Sequence, residues 1–310
     1  MTAHDASKLA PLPFRVRPLQ SETTKSFRER IATRNHISAS AWPLNSRGSE
    51  LKFVLARLAL ISPVALVTAL PELRSALDIA EYPHLAGMVA ASAPIRPACQ
   101  LCVAARDAQA VGATVFASHE QVICYRHSRW TGGGTLRCSA NDQFSVSSVP
   151  AVPSANVRHR RLIVRFGRGA VHTIFHDAVS AMLYWHDWSV FARDPGISHR
   201  RRALGLPPDI HGHNPRDIAA WYPNAVAMTE LVLRQILAIR ATSAPDPDLL
   251  AAGLEEFEDS VIDGLRPSGA NNPFIAARRQ TSFPAVGEIE NTDTTEAAQQ
   301  ADDGVHTLPR

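Results

Sequence analysis

The chain has 310 residues, 45% hydrophobic and 20% charged, enough for two or three small domains with packed cores over most of the length. Four cysteines exclude a disulfide framework, and the most apolar stretch, Phe53 to Leu70, is broken by Arg57, Ser62 and Pro63, which excludes a membrane span. The net charge of +3 hides an asymmetry: from Pro284 onward six acids face one arginine, so the rest carries about +8, a balance that suits a polyanion partner. Only three of the 32 basic residues are lysines, a bias that a GC-rich genome also produces. Residues 1–12 lack a charged segment followed by an apolar run, so the expected setting is cytosolic.

Residues 1–11 read as a flexible leader. In "LPFRVRPLQSE" (12–22), Phe14 and Val16 alternate with Arg15 and Arg17 before Pro18, a short extended segment. Ser21 and Glu22 supply an N-cap and a first-turn acid for a helix reaching about Asn35, with Phe27 and Ile31 on its buried face. Leu51 to Leu60 is a second helix, apolar almost all round and therefore buried. Ser62-Pro63 caps and starts a third helix that ends near Pro71. Residues 12–94 thus form an N-terminal helical domain.

Residues 95–144 hold the chemistry. Cys99, Cys102, Cys124 and His127 are spaced Cys-x2-Cys-x21-Cys-x2-His. Two close pairs on tight turns place four soft donors around one tetrahedral Zn²⁺; the bland alternative is a buried cysteine pair and an unrelated histidine. "VFASHEQVI" (115–123) reads as a short hairpin that returns the chain to the first pair. His119 would sit at its tip, pointing away, and Cys138 lies beyond the "TGGG" loop (131–134); neither is expected to ligate. Four donors close the metal shell, so the zinc is structural. A deaminase needs His-x-Glu before Pro-Cys-x-x-Cys, but Pro97 precedes Ala98, and His84 precedes Leu85 and Ala86. No βαβ surround supports a thioredoxin-like site. Thr173 stands between His172 and His176 where a zincin has glutamate. "TGGGT" lacks the lysine of a phosphate loop. The chain is not expected to be an enzyme.

"SVSSVPAVPS" (145–154) reads as a linker. Arg158, Arg160, Arg161, Arg165 and Arg168 follow without an intervening acid. In a helix, Arg158, Arg161, Arg165 and Arg168 share one face, with Leu162 and Phe166 along its apolar edge. These five arginines are the expected nucleic-acid contacts, to phosphate rather than bases. The clearest helix is 170–188, where Val171, Ile174, Phe175, Ala178, Val179, Met182 and Leu183 form one stripe. Residues 193–215 read as a long basic loop. A helix from about Asp217 to Arg240 follows, with a bend at Pro223, and residues 249–262 have the pattern of a last helix. The C-terminal helical domain spans 145–267, and 268–310 is expected to be a disordered acidic tail. The fold class is mainly α, with helix-turn-helix-like domains and one small zinc-finger and hairpin insert.

Three stretches resemble the TniQ family. "LPFRVRPLQSETTKSFRERIATRNHI" (12–37) is similar to that family's opening. Cys99-x-x-Cys102 with Cys124-x-x-His127, followed by Arg129-Trp130, is similar to its zinc finger. "VRHRRLIVRFG" (157–167) and "WYPNAVAMTELV" (221–232) resemble segments of stand-alone actinobacterial members. The resemblance implies a non-enzymatic accessory protein of DNA transposition that works beside a transposase and an AAA+ ATPase in choosing the target. DNA and those two components would be its partners, and a homodimer is within the family's range. Transposon-encoded relatives can have two fingers where this chain has one. A zinc-containing helix-turn-helix transcription regulator is the alternative.

Overall fold

The opening segment is fixed by polar side chains that turn inward. In a computed structural model that describes residues 9–38, 49–106, 112–132, 138–187, 195–207 and 214–241, helix α1 spans Thr24–Arg34. Its N-cap is Thr23, whose side chain accepts from Ser26 N, and not Ser21 as the sequence suggests. Ser21 has φ 59°, a left-handed turn unsuited to a cap. That turn aims Glu22 into the protein, where it is fully buried. Its carboxylate accepts from Leu19 N at 2.8 Å, Ser26 Oγ at 2.9 Å and Arg30 Nη1 at 2.7 Å. At the far end of α1, Asn35 accepts from Phe14 N at 2.9 Å and donates to Phe14 O at 3.0 Å. The extended stretch and the helix are therefore fastened at both ends.

Helix α2 (Ser49–Ala59) and helix α3 (Pro63–Ala69) follow. Phe27 and Ile31 of α1 meet Val54 and Leu55 of α2 and Leu66 of α3 in one cluster, all fully buried. Each such side chain contributes roughly 1.5–3 kcal/mol. The turn between α2 and α3 begins at Leu60 (φ 52°), and the two helix axes diverge by 107°. Helix α4 (Ala76–Glu81) starts with a capping box between Ser75 and Asp78. Asp78 also receives Lys52 Nζ at 2.7 Å, a second buried ion pair.

Two small sheets hold the cysteine segment. Strand β1 (Ile95–Pro97) leads into helix α5 (Gln100–Arg106). Strand β2 (Thr114–Phe116) runs antiparallel to β1, with Ile95 opposite Phe116. The other edge of β2 takes up the opening segment: Thr23 N donates to Thr114 O at 3.0 Å and Phe116 N to Ser21 O at 2.7 Å. Strands β3 (Ile123–Cys124), β4 (Arg129–Trp130) and β5 (Phe144–Ser145) form the second sheet in that order, all antiparallel. The hairpin expected over 115–123 does not form. β2 pairs with β1 instead, and residues 118–121 make a turn closed by Gln121 N to Ser118 O at 3.0 Å. The real hairpin is β3–β4, directly at the second ligand pair.

Helices dominate the rest: α6 (Ala151–Phe166), α7 (Arg168–Asp187), α8 (Pro195–Ala203) and α9 (Pro215–Ala241). The expected linker 145–154 is half helix, because Pro153 lies in the first turn of α6, where a missing N–H costs nothing. The expected basic loop contains α8. Its buried residues are Ile197 and Arg201, and Leu204 is buried just past its end, so an arginine occupies the middle of the stripe and hides the period. Gly205 (φ 73°) ends it as a left-handed cap. The stripe of α7 is as expected: Val171, Ile174, Phe175, Ala178, Val179 and Met182 are all buried. α9 continues through Pro223.

The described residues fall into two compact units. One takes in those up to Asn156 with Ala203–Leu206 and 214–220; the other takes in Val157–Arg202, Pro207 and those from Trp221 onward. In the second unit His159, fully buried, lies 3.0 Å from the Tyr222 hydroxyl and 4.3 Å from the Phe175 ring. No single helix among the described residues is long and apolar enough to cross a membrane. The expected helix 249–262 and the tail from 268 lie outside the described residues.

Candidate metal centre

Two backbone corners bring the four predicted ligands together. The first lies at the start of α5. Cys99 precedes the helix and its carbonyl accepts from Val103 N at 3.0 Å, which puts Cys102 one turn away on the same side. Gln143 fixes this corner from outside: its Oε1 accepts from Gln100 N at 3.0 Å and its Nε2 donates to Ala98 O at 2.8 Å. The second corner is the β3–β4 turn. Ser128 adopts φ 47°, His127 N donates to Cys124 O at 3.3 Å, and Thr131 N to Val122 O at 2.9 Å. Below the turn Trp130, fully buried, stacks on Phe144 with ring centroids 6.5 Å apart.

The result is a four-donor group that can hold a metal ion. The Sγ atoms of Cys99, Cys102 and Cys124 and a ring nitrogen of His127 all lie within 4.8 Å of one another. His127 Nδ1 stands 3.6 Å from Cys99 Sγ, 3.3 Å from Cys102 Sγ and 3.7 Å from Cys124 Sγ. Cys102 and Cys124 are 3.5 Å apart. Burial, reinforced by the neighbouring Cys124 and Cys99, pushes the Cys102 thiol up to about 12. Burial also raises Cys99. Thiols so crowded keep their protons at neutral pH unless a cation replaces them.

Both spare candidates stay outside this group. His119 is buried in the 118–121 turn, not at a hairpin tip, with Nε2 3.7 Å from Glu120 Oε2. Cys138 is buried too, its Sγ 3.5 Å from Ser139 O, and burial pushes its pKa up to about 11. Sequence reasoning missed two neighbours of the site. One is Gln143, which no spacing rule marks. The other is Arg96, whose pKa burial lowers to about 10 while Cys124, Cys138 and Cys99 pull it back up. Arg96 follows the exposed Ile95 and precedes the knuckle, and nothing local distinguishes it from the other arginines of the chain.

The five predicted phosphate contacts do not form one continuous face. Arg158, Arg160, Arg161 and Arg165 lie on α6, but Gly167 (φ 82°) ends that helix and Arg168 begins the next. Arg158 pairs with Glu230, which also pairs with Arg234. Arg161 and Arg165 are exposed, Arg165 lying over the Phe166 ring at 5.1 Å. No protein-family model, no curated protein and no solved structure matches the chain.

Proposed function

We propose that this chain is a non-enzymatic, zinc-containing DNA-binding adaptor of the TniQ type, assisting target choice beside a transposase and an AAA+ ATPase. The observation that carries the reading is the convergence of Cys99, Cys102, Cys124 and His127. A tetrahedral zinc with bonds of about 2.3 Å to sulfur and 2.0–2.1 Å to nitrogen separates its donors by roughly 3.5–3.8 Å. The separations of 3.3 to 3.7 Å match that geometry. Zinc bound there supplies a cross-link between the α5 corner and the β3–β4 turn, and four protein donors leave no position for a substrate. Three thiolates around a divalent ion leave one negative charge, which the half-buried Arg96 nearby would offset.

The α2–α3 pair supports the second half of the reading. A short turn and an angle of 107° fall within the roughly 90–120° of helix-turn-helix units. The exposed positions of α3 are Val64 and Ala65, which offer no side-chain hydrogen bonds to base edges. That composition favours an adaptor over a sequence-specific regulator. Binding would then rest on backbone charge, with the exposed Arg161 and Arg165 of α6 among the predicted contacts. Replacing both with alanine should weaken duplex binding alike for all sequences and flatten the salt dependence of log K by roughly two units. Titration of labelled duplex at several salt concentrations measures both. Unchanged affinity and slope would remove these arginines from the interface, and lost sequence preference with an intact slope would favour the regulator.

A further inference from the structure

Helix α6 carries a solvent face that polar residues alone would not build. Val164 is 89% exposed and Val157 40% exposed. They are seven residues apart and so lie on one line of the helix. Arg161 sits between them along that line, and Arg165 flanks it. A lone exposed valine is ordinary. Two in register, bordered by arginine and by no acid from 157 to 166, form an apolar stripe with a basic rim.

The same chain contains the complementary pattern. In "LLAAGLEEFEDSVID" (249–263), Leu250, Leu254, Phe257 and Val261 fall at i, i+4, i+7 and i+11, one apolar stripe at helical spacing. Five acids and no base accompany them. Reach is sufficient as well. Glu230, which Arg158 of α6 holds, lies roughly 17 Å along α9 from Ala241. The seven residues from 242 to 248 then span up to roughly 25 Å.

We propose that residues 249–263 dock on the Val157–Val164 face of α6 in the same chain, the apolar stripes meeting and acids such as Glu255 and Glu258 pairing with Arg161 and Arg165. The docking does not depend on the DNA reading. Its consequence does: on that reading the segment and a phosphate backbone compete for the same two arginines.

The test is photocrosslinking in the full chain without DNA, with benzoyl-phenylalanine replacing the exposed Val164 and the products mapped by mass spectrometry. Docking predicts a crosslink into 249–263 at monomer mass. R161E/R165E should reduce its yield by about tenfold, a loss of roughly 1.4 kcal/mol. Adding E255R/E258R should restore it. Helical content by circular dichroism guards against unfolding of the variants. A crosslink to another segment, a crosslink only at dimer mass, no crosslink, or a yield indifferent to charge reversal would each overturn the proposal. None of these outcomes bears on whether the protein binds DNA.

Discussion

The helices of residues 24–85 and the cysteine segment of residues 95–130 belong to one compact unit but are ordered by different means. The first is apolar: Phe27, Ile31, Val54, Leu55, Leu66 and Leu70 are buried without remainder. The second has strands of two and three residues and few large apolar side chains, mainly Val115, Phe116, Val122, Ile123 and Trp130. Such strands are too short to be stable alone. The corner at Cys99 and the turn at Cys124 are joined by the donor group and, from the side, by the two hydrogen bonds of Gln143. The comparison teaches that the first region should outlast loss of the metal and the second should not.

The sharpest way to break that contrast is to remove a ligand. Closed zinc sites in small fingers supply about 10–16 kcal/mol of apparent binding free energy, coupled to folding. Cys102→Ala or Cys124→Ala should therefore abolish metal retention and open residues 95–130 to protease, while the N-terminal helices stay resistant. Limited proteolysis with fragment mapping reads the two regions separately. A resistant middle in both variants would show that packing, not metal, orders it.

Smaller effects belong to the polar fastening of the first region. Glu22 and Arg30 are both buried and form an ion pair at 2.7 Å. Removing one partner leaves a stranded charge, at about 3–5 kcal/mol. Arg30→Ala should lower the denaturation midpoint accordingly, and because Glu22 also orders the segment lying along β2, the cysteine segment should loosen with it. If Arg30→Ala left the protease resistance of the cysteine segment intact, the two regions would be independent.

The smallest effect is a pH dependence confined to the helices. Burial alone would raise the Asp78 pKa, but hydrogen bonds from Lys52 and Ser75, with the Lys52 charge, hold it below the ordinary carboxylate range. A carboxyl lowered in the folded state stabilises fully above its unfolded value of about 3.9 and loses that contribution as pH falls through the folded value. The stability difference between the wild type and Asp78→Asn should thus be constant from neutral pH down to about pH 4 and shrink below it. A difference that stayed constant down to pH 2 would remove the ion pair from the account.

Legibility followed the same division. The stripe of α7 and the four-donor group were readable because each rests on a spacing: 3.6 residues per turn for Val171 to Met182, two residues between paired donors for Cys99 to His127. Features without a period were not. Arg201 occupies a buried position of α8 and masks its stripe. The β1–β2 pairing joins strands separated by a helix, so "VFASHEQVI" looked self-contained when its first two residues pair with an earlier strand. Glu22 looked like a first-turn acid because sequence cannot show that Ser21 turns left-handed and points the next side chain inward. Gln143 reaches the Cys99 corner from 16 residues beyond His127, a distance at which no local rule operates.

The central claim is that the middle of this protein is ordered by one metal ion. Metal content of the purified full chain, measured by mass spectrometry alongside protease mapping, tests it most directly. The account predicts one zinc per chain, and removal by a chelator should make 95–130 cleavable while the helices within 24–34 and 49–85 stay protected. Protein purified without stoichiometric metal but with a protease-resistant 95–130 would contradict it.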